Sequence, residues 1–112
     1  MNEQLIKPVR QVLALLVAGQ YAELETQSNS IRLNAQEMAK AINDYGRELA
    51  LPPNDAFQLM DIVEVRNAKP RQWSIAMPLW TREEGRSDLS IGLTLFAEET
   101  GFRIELDDIH VL

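Results

Sequence analysis

The sequence contains no cysteine and a single histidine, His110, in 112 residues. Without thiols there is no disulfide staple, no thiolate nucleophile and no cysteine-held metal. Only 6% of the chain is aromatic, and no apolar run approaches the ~20 residues a membrane span needs. Lysine and arginine are outnumbered by aspartate and glutamate, 11 to 17, so a basic surface for nucleic acid is not expected. The opening Met1-Asn2-Glu3-Gln4-Leu5-Ile6-Lys7-Pro8 lacks the basic start and unbroken apolar stretch of a secretory signal, and a cytoplasmic location is expected.

What is present suits one domain over residues 1–112. Hydrophobic residues make up 46% and charged residues 25%, an ordinary globular balance. The net charge of −6 is unevenly placed. Residues 1–80 hold 9 acids and 8 bases, whereas residues 81–112 hold 8 acids and 3 bases. The last third therefore repels phosphates and anionic lipid and attracts a basic partner. The same charge also serves plain solubility.

Leu5, Ile6, Val9, Val12, Leu13, Leu16 and Val17 recur at three- and four-residue spacing and predict a first helix, with Pro8 in or near its first turn and Gly19 as its stop. Tyr21 and Leu24 suggest a short helix over residues 20–26, followed by a polar connector, Gln27-Ser28-Asn29-Ser30. Asn34 and Glu37 have capping-box spacing for a third helix that carries Met38, Ile42 and Tyr45 on one face and stops at Gly46. Leu51-Pro52-Pro53-Asn54-Asp55 reads as a rigid loop.

From residue 60 the apolar period becomes two. Residues 60–66, 72–80, 87–97 and the stretch from Phe102 read as four antiparallel strands. Trp73, Ile75, Met77 and Leu79 share one face, as do Leu89, Ile91, Leu93 and Leu95, with Trp80 on the opposite face. Pro78 marks an edge or a bulge. Along the last strand Phe102, Ile104 and Leu106 alternate, and then Ile109 and Val111 resume one residue out of phase, which predicts a β-bulge at Asp107-Asp108. The expected class is α+β, with N-terminal helices on a curved four-stranded meander.

Leu15-Leu16-Val17-Ala18-Gly19-Gln20-Tyr21-Ala22-Glu23-Leu24, together with the strand order, resembles the cystatin-like cone of the nuclear-transport-factor and ketosteroid-isomerase group. That likeness implies a fold and not an activity. Pro78-Leu79-Trp80-Thr81-Arg82-Glu83-Glu84-Gly85-Arg86-Ser87-Asp88-Leu89 and the ending Asp107-Asp108-Ile109-His110-Val111-Leu112 resemble a family of small bacterial proteins of uncharacterised function. Small acidic domains of this build are in turn similar to immunity proteins, which neutralise basic bacterial toxins.

Asp107-Asp108-Ile109-His110 invites a metal or acid–base reading, but one strand does not supply the three or four ligands of a zinc site, and a surface histidine bonded to a carboxylate is the plainer expectation. An isomerase-like site needs a carboxylate inside the sheet's apolar face, and only Asp88 and Asp107, at strand ends, come near it. The serines sit in no nucleophile elbow and lie far from His110 in sequence. Gly85 and Gly92 form no phosphate loop, and Lys69, Arg71 and Trp73 make only a short basic stretch. No enzymatic activity, metal or cofactor is therefore expected.

The expected function is that of an acidic binding protein, an immunity-type inhibitor of a basic toxin domain. Its contact residues are taken as Trp80, Arg82, Glu83, Glu84, Arg86, Asp88, Glu98, Glu99, Asp107 and Asp108, with the indole as anchor and the carboxylates as steering charge. Against this stands the reading that Trp80 covers the sheet rim and that Arg86 pairs with Asp88 or Glu84. Two other functions remain open: a small-molecule pocket between sheet and first helix lined by Trp73, Met77 and Phe96 or Phe102, and a homodimer through the outer sheet face. The protein is expected as a monomer or homodimer, with neither nucleic acid nor membrane as partner.

Overall fold

Leu5, Val9, Val12, Leu13 and Leu16 line the buried face of a helix, α1 (Glu3–Val17), as their spacing requires. The computed structural model describes residues 3–28 and 32–112. Pro8 lies in the second turn of α1 and not the first, so the Gln4 carbonyl loses its intrahelical donor. Helix α2 (Tyr21–Ser28) is longer than its pattern suggested and absorbs Gln27 and Ser28. Asn29 and Ser30 of the expected connector lie outside the described residues, as do Met1 and Asn2.

Helix α3 (Ala35–Tyr45) opens on the capping box read from the sequence. The Glu37 N–H donates to Asn34 Oδ1 at 2.9 Å, and the Asn34 N–H donates to Glu37 Oε1 at 2.9 Å. Two otherwise orphaned amides are thereby satisfied. Gly46 ends the helix at φ 77°, where its N–H reaches the Ile42 carbonyl and a Cβ would be strained.

Among the described residues five strands follow, one more than expected. They are β1 (Leu49–Ala50), β2 (Asp61–Glu64), β3 (Gln72–Thr81), β4 (Gly85–Glu98) and β5 (Gly101–Val111). All pairs are antiparallel. One edge of β3 is shared by two partners: β2 pairs with residues 73–76 and β1 with residues 80–81. Pro78 falls in the gap between them, where a missing donor costs least. Strand β2 is shorter than the apolar alternation of residues 60–66, and Asn54–Leu59 form a 3-10 helix where part of a loop was expected.

Helices cover one face of the sheet. Ile75, Met77 and Leu79 of β3 and Leu89, Ile91, Leu93 and Leu95 of β4 are buried there, with Leu106 and Ile109 of β5 beside them. Each such side chain contributes roughly 1.5–3 kcal/mol by leaving water. Trp73 is half-buried at the margin and meets Phe102 edge-on, with centroids 5.7 Å apart. Val111, expected on the apolar face, stays 59% exposed at the end of β5. No helix among the described residues is long and apolar enough to cross a membrane.

The sheet bends at two irregularities. Between β4 and β5, Leu93 pairs with Leu106 and Gly92 with Asp108, so Asp107 is the extra residue of the expected bulge. Between β3 and β4, Pro78 pairs with Ser90 and Trp80 with Arg86, so residues 87–89 lie opposite Leu79 alone. The Ser87 hydroxyl mends this second break. It donates to the Leu79 carbonyl at 2.7 Å and accepts from the Leu89 N–H at 3.1 Å.

Candidate functional site

The bulge at Asp107 sets which side chains reach the open face of the sheet. Before it, Leu106 points to the helices; after it, Ile109 does, and Asp108 and His110 turn outward. Register then aligns Asp61, Ala76, Gly92 and Asp108 in one row across β2, β3, β4 and β5. The neighbouring row holds Pro78, Ser90 and His110. Small residues floor the middle of this face, and carboxylates stand at its sides.

Asp108 lies flat over Gly92. A Cβ at position 92 would sit 2.7 Å from Asp108 Oδ1. That oxygen also approaches His110 Nδ1 at 3.3 Å. Glycine at 92 thus makes room for the carboxylate that lies beside the imidazole. An open hollow of about 460 Å³ adjoins this pair, lined in part by Asp61, Arg86, Asp88, Ser90 and His110. The Ser90 hydroxyl donates to the Met77 carbonyl at 3.2 Å. Among the described residues Arg86 has no carboxylate partner, so the expected alternatives of Asp88 and Glu84 are not formed.

The β3–β4 turn beside this hollow is braced from within. Arg82 Nη1 reaches Glu48 at 3.2 Å, and the Glu83 carboxylate accepts the Glu48 N–H at 3.1 Å. Glu84 accepts from Tyr45 Oη at 2.9 Å and from Thr81 Oγ1 at 3.0 Å. Tyr45 Oη in turn accepts the Asp88 N–H at 3.3 Å. The end of α3 therefore fixes the turn, and Glu83 and Glu84 present carboxylates that are already partly satisfied.

The ten residues singled out from the sequence do not form one surface. Arg82, Glu83, Glu84, Arg86 and Asp88 lie at the β3–β4 turn and the start of β4, whereas Asp108 pairs with Gly92, midway along β4. Glu98 and Glu99 belong to the β4–β5 turn, at the opposite end of the 14-residue β4, in a molecule 39 Å long. They share that end with the β2–β3 connection, which carries Arg66, Lys69 and Arg71. Asp107 turns back to the protein: Thr94 Oγ1 donates to its Oδ2 at 2.8 Å, and Arg32 lies 3.7 Å from its Oδ1.

Trp80 is half-buried and lines a small apolar hollow with Leu13, Leu16, Val17, Leu49 and Pro52. Part of the indole is thus used inside the monomer. Met77, offered as a wall of an internal pocket, is packed in the core at 2% exposure. Among the described residues no group of three or more histidine, aspartate or glutamate side chains is placed to hold a metal ion.

Sequence reasoning missed Asp61, Ser90, Gly92 and Tyr45. Ser90 and His110 stand 20 positions apart in the chain, yet they are direct cross-strand neighbours. The phase slip at Asp107-Asp108 was the one available signal, since it implies that Asp108 and His110 share the outer face.

Fold and site together define a small α+β domain with helices on one side of its sheet and an acidic open face on the other. The chain belongs to the family described as a domain of unknown function, DUF7668, whose model matches residues 13–112. Comparison with curated proteins and with solved structures finds no match.

Proposed function

We propose that this domain is a cytoplasmic binding protein for a basic protein domain, of the kind that immunity proteins provide against bacterial toxins. One observation carries the reading: an uncovered sheet face whose side chains Asp61, Asp88 and Asp108 stand around a floor of small residues. Small floor residues let a partner approach the backbone closely, and the carboxylates attract lysine and arginine during encounter. Glu83 and Glu84 extend the same charge onto the braced turn. Trp80 contributes at the margin, through whatever part of its ring the helix end leaves uncovered. Glu98, Glu99 and Asp107 are not part of the contact in this reading.

The test is co-expression with the product of the adjacent open reading frame, followed by measured affinity for the purified pair. Asp61→Lys/Asp108→Lys is compared with Glu98→Lys/Glu99→Lys, which changes the net charge equally at the far end. The first variant is expected to weaken binding at least ~100-fold and to lower its salt dependence, and the second to change it less than ~5-fold. Equal losses from both would mean that only overall charge matters. No loss from the first would remove the open face as the contact.

A further inference from the structure

We propose that Ser90, His110 and Asp108 form an acyl-transfer site on the open face of the sheet, with simple esters as the substrate class. This goes beyond the partner-binding reading, which makes no use of the Ser90 hydroxyl.

Three observations converge. Register places Ser90 directly opposite His110, and directly opposed residues have Cβ atoms about 4.5–5.5 Å apart. Asp108 Oδ1 lies 3.3 Å from His110 Nδ1, so the carboxylate stands beside that nitrogen and not beside Nε2. Gly92 gives that carboxylate its place, since a Cβ there would lie 2.7 Å from Oδ1. Ser90, 4% exposed, lies in the floor of the hollow of about 460 Å³ and the exposed His110 at its wall, and the hollow has room for a small ester.

At rest the Ser90 hydroxyl donates to the Met77 carbonyl. Rotation about its Cα–Cβ bond turns Oγ toward His110. Oγ then attacks the ester carbonyl carbon while its proton passes to His110 Nε2. The carbonyl oxygen gains charge, and the donor available to it is the guanidinium of Arg86, which lines the same hollow. Collapse breaks the bond to the leaving alkoxide, which takes the proton from Nε2 and departs as an alcohol. Water then adds to acyl-Ser90, giving a proton to Nε2; the carboxylic acid leaves and Oγ is reprotonated. In these roles Ser90, His110 and Arg86 are catalytic, and Asp108 and Gly92 are positioning residues.

The full-length protein is treated with a fluorophosphonate probe and, separately, with p-nitrophenyl acetate, and the adduct is mapped by peptide mass spectrometry. The expected result is a covalent adduct on Ser90 and p-nitrophenyl acetate turnover that falls at least ~100-fold in His110→Gln, an exposed position whose change leaves the fold intact by circular dichroism. Asp108→Asn and Gly92→Ala are expected to lower kcat with KM unchanged, and Asp108→Glu to restore part of the loss. Absence of an adduct, an adduct on another serine, or labelling indifferent to His110→Gln would each overturn the assignment.

Discussion

Deleting Asp107 should be tolerated, although it removes a residue from within a β-strand. A single deletion in a regular strand sends every later side chain to the wrong face. Here Asp107 is the surplus residue between the pairs Leu93–Leu106 and Gly92–Asp108, so its loss leaves Leu106 and Ile109 inward and Asp108 and His110 outward. The Thr94 hydrogen bond to Oδ2 is lost, a cost of about 1.5–3 kcal/mol for a bond to a charged group. The Arg32 pair adds little, because Arg32 is 68% exposed and 3.7 Å away. Removal of Oδ1, a buried oxygen without a hydrogen-bond partner among the described residues, returns about 1–3 kcal/mol. The net change is within about 2 kcal/mol of zero. Deleting Glu105 instead turns Leu106, fully buried, outward and drives Asp107 in. That costs about 2–5 kcal/mol for the leucine alone and several more for the carboxylate. The sum rivals the roughly 6–17 kcal/mol expected for a chain of this length. Urea melts followed by far-ultraviolet circular dichroism compare the two. Equal destabilisation by both deletions would refute the assignment of Asp107 as the bulge.

Asn34→Ala removes the acceptor of the capping box and is expected to cost about 1 kcal/mol in the same melts, while Asn34→Asp stays close to the parent. Tyr45→Phe deletes the hydroxyl that joins Glu84 to the Asp88 N–H; a loss of about 1 kcal/mol, or about 5 °C in Tm, is expected by calorimetry. The Glu64 carboxyl is held below its ordinary range by its hydrogen bonds to Arg71, which outweigh the slight burial that acts the other way. Its stabilising contribution is therefore present above the unfolded-chain value and fades as pH falls through the lowered one. Glu64→Gln should remove that small acid-side dependence from a pH series of melts, lowering the neutral-to-basic limb slightly without changing its slope and leaving the acid end near the parent.

The helices were legible because their signals are local. The capping spacing of Asn34 and Glu37, the stop at Gly46 and the apolar face of α1 each act within a few residues. The bulge at Asp107 was legible for a related reason, since a phase slip in a period-two pattern needs no knowledge of the neighbouring strand. Strand β1 was not legible: Leu49 and Ala50 are a strand only because Thr81 and Trp80 offer them an edge. The same limit applied to Trp80, whose alternation placed it on the outer face, while the fold leaves it half-buried beside a hollow that it shares with the end of α1. Arg86 carries no sign in the sequence that it would stay unpaired.

By itself the sequence determined the order of the three helices and four longer strands, most of the inward residues of β3, β4 and β5, the position of one bulge and the excess of negative charge after residue 80. Those features depend on spacing along the chain, and spacing is what a sequence records. Tertiary structure alone decided that this charge divides between two ends of the sheet. It also decided that Asp61 joins Asp108 across four strands and that Ser90 faces His110. Such neighbours are set by strand register, and register follows from how the whole apolar face packs against the helices.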